Sequence, residues 1–129
     1  MRPVKYLTKA ETEAFFRAIP REHLRDRLLF DLIYRHGLRR TEAALLRLAG
    51  VQEDRIWVGR VKQGISGEYP LHPSTKKLLT SYLESRRDAE SPYLLTSRQS
   101  KSGPIASSTI YQAFRRYAKA AGLQQDHQH

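Results

Sequence analysis

Apolar side chains recur at helical spacing along most of this chain, and one stretch near the middle breaks the pattern. Thr8-Lys9-Ala10-Glu11 has the form of a capping box: the threonine accepts from a backbone amide and the glutamate reaches back. The helix it opens carries Ala14, Phe15 and Ala18 on one side and is expected to stop at Pro20. From about Glu22 to His36, the side chains of Leu24, Leu28, Leu29, Phe30, Leu32 and Ile33 cover most of a second helix. A helix apolar nearly all round belongs at the centre of a fold. Gly37 suits the left-handed position that ends it. Thr41 is expected to cap a third helix, with Ala44, Leu45 and Leu48 pointing inward and Gly50 as its stop.

The period changes at Arg55. Ile56, Val58 and Val61 read as strand, and Gly59, Gly64 and Gly67 mark turns or bulges. Glu68-Tyr69-Pro70-Leu71 reads as a last short strand, confined by its proline to an edge or an end. Residues 55–71 are therefore expected to form a small antiparallel sheet of two or three strands, with Trp57 and Tyr69 as its packing. Pro73 and Ser74 open a fourth helix carrying Leu78, Leu79, Tyr82 and Leu83, and it ends in Arg86-Arg87. Residues 88–106 read as irregular, with a short apolar segment Tyr93-Leu94-Leu95 and a polar tip SRQSKSGP. Ser107 or Ser108 is expected to cap a fifth helix with Ile110, Phe114, Tyr117 and Ala121 inside and Gly122 as its stop. The expected class is α+β, mainly α-helical: about five helices and one small sheet.

A length of 129 residues allows one domain with a modest core. Lysine and arginine number 23 against 13 acids, a net charge of +10. Such an excess favours a polyanionic partner, because each neutralised phosphate releases counterions. A basic structural protein that binds RNA is the bland alternative. With no cysteine, disulfides, thiolate metal sites and cysteine nucleophiles are excluded. No apolar run approaches the roughly 20 residues that span a bilayer, and MRPVKYLTKAE lacks the apolar core of a signal peptide. The expectation is a cytoplasmic, nucleoid-associated protein with no membrane partner.

The candidate chemistry centres on Arg39. It follows Gly37-Leu38 between two helices, where buried neighbours on both sides would hold a guanidinium whose fork can grip two phosphate oxygens. Glu42, three residues on, suits the start of the third helix and could orient Arg39. Taken alone, so short a motif is better read as a solvated linker arginine beside a helix-capping glutamate. Lys62 lies on the expected hairpin, where a lysine can reach a bound backbone and hand a proton to a leaving oxygen. Alone it is an exposed strand lysine. His36 reads as a helix C-terminal residue facing the dipole.

Together these residues are more informative. GLRRTE at 37–42, a small sheet with a lysine, and Pro70-Leu71 leading into a helix resemble the catalytic domain of the tyrosine recombinases, the phage-integrase family. YLTKAETEAFF is similar to that domain's first helix, RVKQGISGEYPL to the hairpin of the small recombinases that invert fimbrial switches, and STIYQAFRRYAKAAG to the helix before the second catalytic motif. The resemblance implies that Arg39 grips the non-bridging oxygens of a scissile phosphate, that Glu42 supports it, and that Lys62 protonates the 5′ leaving oxygen. It implies double-stranded DNA as partner, self-association on DNA as in the family's tetrameric synapse, and attack by a tyrosine without metal, ATP or other cofactor. On the basic surface, Arg40, Arg60, Lys76, Lys77, Arg98, Lys101, Arg115, Arg116 and Lys119 are the candidate DNA contacts.

The chain departs from the family pattern in two ways. It opens at the catalytic domain, with no N-terminal core-binding domain ahead of it, as in the fimbrial type. It also reaches His129 at or before the family's His-x-x-Arg motif and before its tyrosine nucleophile. Residues 1–129 are thus expected to be a single, partial catalytic domain, inactive alone, with bare apolar surface around Phe114, Tyr117 and the third helix that drives self-association. A decayed integrase or a small helix-turn-helix regulator is the alternative. Asp126, His127 and His129 could chelate a metal, but a frayed polar terminus is the simpler reading, and no metal is expected.

Overall fold

The second helix is the element the others are laid against. In the computed structural model, which describes residues 7–61, 64–86, 90–97 and 103–123, the order is α1 (Lys9–Arg17), α2 (Leu24–His36), α3 (Arg40–Ala44), β1 (Arg55–Val58), β2 (Gly67–Pro70), α4 (Pro73–Ser85) and α5 (Ser107–Ala120). A single 3-10 turn at Leu48–Gly50 follows α3. Arg98, Lys101, Lys62 and the Asp126, His127 and His129 group all lie outside the described residues.

α1 begins as its sequence dictates. The Thr8 hydroxyl accepts from the Glu11 amide at 3.1 Å, and the Glu11 carboxylate accepts from the Thr8 amide at 2.9 Å. α2 buries Leu28, Leu29, Phe30, Leu32 and Ile33, as a central helix should. An aromatic cluster joins it to α1 and α5. Phe15 stands edge-on to Phe30 at 5.1 Å and to Tyr117 at 6.2 Å, and lies tilted against Phe114 at 5.2 Å. Two buried acids on α2 are satisfied by neighbouring helices: Asp26 accepts from the Tyr117 hydroxyl at 2.5 Å, and Asp31 accepts from the Thr75 hydroxyl on α4 and from Arg35 at 3.1 Å. Buried carboxylates need such partners.

β1 and β2 pair antiparallel, Ile56 opposite Tyr69 and Val58 opposite Gly67. Ile56 and Val58 face the core and Trp57 faces outward, half exposed, so it is not the packing residue its composition suggests. Val61 is exposed and lies outside both strands; the described residues form a two-stranded sheet. The irregular segment is a structural part of the core. Leu94 and Leu95 are fully buried, the Leu94 amide donates to Leu46, the Leu48 amide donates to Pro92, and the Tyr82 hydroxyl donates to the Leu94 carbonyl at 2.7 Å.

Several expected details are corrected. Arg39, not Thr41, is the N-cap of α3, which ends at Ala44 after five residues. With the helix finished there, Leu45 turns to solvent and Leu46 turns inward. Ala106 caps α5, so Ser107 is its first residue, and Ala113 and Ala118 line the buried face while Ala121 is only half-buried. Phe114 and Tyr117, expected to be bare, are 1% and 3% exposed. Among the described residues, the exposed large apolar side chains are Tyr34, Leu45, Trp57, Val61 and Ile65 instead. α3 is too short, and too buried at Glu42, Ala43 and Ala44, to serve as the recognition helix of a helix-turn-helix.

Phe15 sits where three helices meet. Phe15→Ala is expected to cost about 3–5 kcal/mol in urea unfolding, whereas Leu45→Ala, at an exposed position, is expected to change stability by less than about 0.5 kcal/mol.

Candidate active site

The corner between α2 and α3 is built by backbone geometry. Gly37 ends α2 at φ 64° and ψ 34°, a left-handed conformation that a side chain would strain. Leu38 is fully buried and anchors the turn, and Arg39 then extends at φ −79° and ψ 160°. The side chain of Glu42 reaches back across the turn, its Oε1 accepting from the Arg39 amide at 2.7 Å.

The same carboxylate holds the hairpin. Its Oε1 also accepts from Arg60 Nη1 at 3.1 Å, and its Oε2 accepts from the Val61 amide at 3.2 Å. Glu42 is 2% exposed. Burial alone would push its pKa up, but the Arg39 and Val61 amides and the Arg60 guanidinium outweigh it and hold the carboxyl below its ordinary value. It is therefore a buried anion tying residue 39 to residues 60 and 61. Lys62 is the residue after Val61 and lies outside the described residues.

Arg60 is committed inside the protein. Besides Glu42, its guanidinium lies 5.0 Å from the centroid of the Tyr69 ring, and its Nη1 is 3.5 Å from the Gly37 carbonyl. It braces the corner rather than projecting as a phosphate contact. Arg39 differs. No acid is paired with it among the described residues, and its Nε is buried without a hydrogen-bond partner. A buried donor left unsatisfied by the protein sets Arg39 apart from Arg60 at this corner.

His36 is the last residue of α2, immediately before Gly37. Burial pushes its pKa down; Asp31 opposes this, while His72, Arg35 and Arg60 add to it. Burial thus disfavours its charged form at the end of α2. The remaining basic candidates are spread out. Lys76 and Lys77 are exposed on α4, Lys119 is exposed on α5, and Arg116 is exposed on α5 with Asp26 3.9 Å away. Arg40 and Arg115 both lie over Tyr111, at 5.1 and 5.9 Å. Arg47, over Tyr93 at 5.1 Å, is a further exposed arginine without an acid among the described residues. Among the described residues no group of three acidic or histidine side chains could hold a metal.

Glu42→Gln is expected to destabilise the fold by about 3 kcal/mol or more, since it leaves Arg60 buried without its counter-charge. The pH dependence follows from the same group. A carboxyl held below its ordinary 4.5 contributes stability that is complete above that value and lost as pH falls through the folded one. His36, held below 6.5, acts in the same direction at higher pH: the unfolded chain takes up a proton that the folded state refuses. Thermal unfolding between pH 7.5 and 5.5 should show a loss that His36→Gln reduces, and below pH 4.5 a loss that Glu42→Gln reduces.

Residues 5–129 match the phage integrase family. The tyrosine recombinase XerA of Pyrococcus furiosus is 31% identical over 123 residues, covering 92% of this chain and 42% of that protein. The XerA of Thermococcus kodakarensis is 33% identical over 124 residues, covering 93% and 43%. The crystal structure of XerA recombinase superimposes with a TM-score of 0.77 at 25% identity, covering 93% of this chain and 44% of that one. Lambda integrase bound to DNA has the same fold, with a TM-score of 0.73 over 92% of this chain and 43% of its own. The chain spans less than half the length of these relatives. With the family match running over nearly its whole length, the chain belongs to the phage integrase family, the tyrosine recombinases.

Proposed function

We propose that this chain is the phosphate-gripping part of a site-specific DNA recombinase. The observation that carries the reading is Arg39: an arginine with no acid partner among the described residues, on a corner pinned from behind by the buried Glu42 carboxylate. In this reading the Arg39 guanidinium binds the non-bridging oxygens of the scissile phosphate, where charge builds up during transfer. Glu42 acts on the reaction through Arg39 and the hairpin, and is a positioning residue. Lys62, next to the pinned Val61, donates a proton to the 5′ oxygen as it leaves. A tyrosine oxygen bonds to phosphorus while the P–O5′ bond breaks, leaving a 3′-phosphotyrosyl link and a 5′ hydroxyl. The link conserves the energy of the phosphodiester, so rejoining needs no ATP.

Three of the tyrosines already engage their hydroxyls, Tyr69 on Ile65, Tyr82 on Leu94 and Tyr117 on Asp26. The resemblance assigns the attack to a tyrosine downstream of the matched elements. The partner is double-stranded DNA, and the reading includes multimeric assembly on it, since lambda integrase has been seen as a tetramer on a Holliday junction. The hairpin RVKQGISGEYPL supports a place near the fimbrial-switch recombinases, acting on the chromosome in the cytoplasm.

Joined to the downstream catalytic segment of a relative and incubated with nicked recombination-site duplexes, the chain is expected to form a covalent protein–DNA adduct. Arg39→Ala should lower its yield by roughly 10²- to 10³-fold, the usual loss of one oxyanion donor. Lys62→Ala should be rescued by a 5′-bridging sulfur, a leaving group that needs no proton. Absence of the adduct, or an adduct indifferent to Arg39→Ala, would contradict the reading.

A further inference from the structure

Five arginines lie against tyrosine rings among the described residues, and their partners divide them. Arg60 also has Glu42, and Arg116 also has Asp26. Arg40 on α3 and Arg115 on α5 have no acid among the described residues, and they share one ring, Tyr111. Two cations gathered at one ring repel each other, and the quadrupole of a single tyrosine attracts each only weakly. Neither guanidinium has a counter-charge among the described residues, so an anion beside them would balance the pair.

The position of that anion follows from the chain. Arg40 is the residue after Arg39, so their Cα atoms are about 3.8 Å apart. The two guanidinium carbons, both within 6 Å of one centroid, span no more than a few nucleotide steps of about 3.4 Å rise on one strand. We infer that Arg40 and Arg115, held over Tyr111, form a second phosphate site for a non-scissile phosphate within a nucleotide or two of the one at Arg39. This inference rests on the reading of Arg39 given above. Tyr111 is then a positioning residue, aligning two planar guanidiniums that a flexible pair of lysines would leave to wander. The site also gives α5 a role in setting how the strand lies against α3.

The test is equilibrium binding of the full chain to duplex DNA over a salt series. Arg40→Ala and Arg115→Ala should each weaken binding roughly tenfold, as expected for a lost charge-assisted hydrogen bond, and lower the steepness of the salt dependence by about 0.9. Tyr111→Leu, which changes no charge, should also weaken binding and should shrink the effect of Arg40→Ala; Tyr111→Phe should restore it, since the ring and not the hydroxyl is used. Arg40→Lys should keep the salt slope but lose affinity. Arg17→Ala on α1 controls for net charge. The inference is overturned if the slopes of Arg40→Ala and Arg115→Ala match the parent, if Arg17→Ala lowers the slope as much, or if Tyr111→Leu and Arg40→Lys both bind like the parent. Those outcomes leave the recombinase reading standing; a parent chain that does not bind duplex at all overturns both.

Discussion

One carboxylate holds the candidate site in shape. Glu42 is almost wholly buried, and a buried anion is costly unless donors surround it. It finds three: the amide of Arg39 behind it in the chain, and the amide of Val61 and guanidinium of Arg60 ahead of it. The last two lie 19 and 18 residues beyond Glu42, in a segment that nothing else in the local sequence obliges to meet the corner. Because these donors together outweigh the cost of burying the carboxylate, the corner and the start of the hairpin are held to one another. Under the proposed reading, an arginine and a lysine acting on one phosphodiester would share this brace.

The positive charge of the chain is not uniform in use. Arg60, Arg35 and Arg25 face Glu42, Asp31 and Asp26, and serve to satisfy acids in or near the core. Arg39, Arg40 and Arg115 have no such acid among the described residues, and all three belong to α5 or the α2–α3 corner and the helix it opens. A net charge of +10 says that a polyanion is favoured; only the partners of each arginine say where it would lie.

Features set by residues three or four apart were legible in the sequence. The Thr8–Glu11 cap, the apolar α2, the left-handed Gly37 and the Arg39–Glu42 spacing all depend on local geometry, and each is found in the structure. Features set by where a helix stops, or by contacts across the fold, were not. The side chains of Leu45 and Leu46 exchange places because α3 ends at Ala44, and no glycine or proline marks that end. Arg60 looked like any exposed basic residue because its carboxylate lies 18 positions earlier. Tyr111 carried no signal, since its two arginines come from positions 40 and 115.

The central claim is that Arg39 offers its guanidinium to a DNA phosphate. It is tested most directly by following the side-chain Nε–H resonance of Arg39 in the ¹⁵N-labelled chain while duplex DNA is added. The Nε is buried and without a partner in the free protein, so the account predicts a shift and slowed exchange with solvent that saturate together with binding. An Arg39 resonance that stays where it was while the chain binds the same duplex would contradict it.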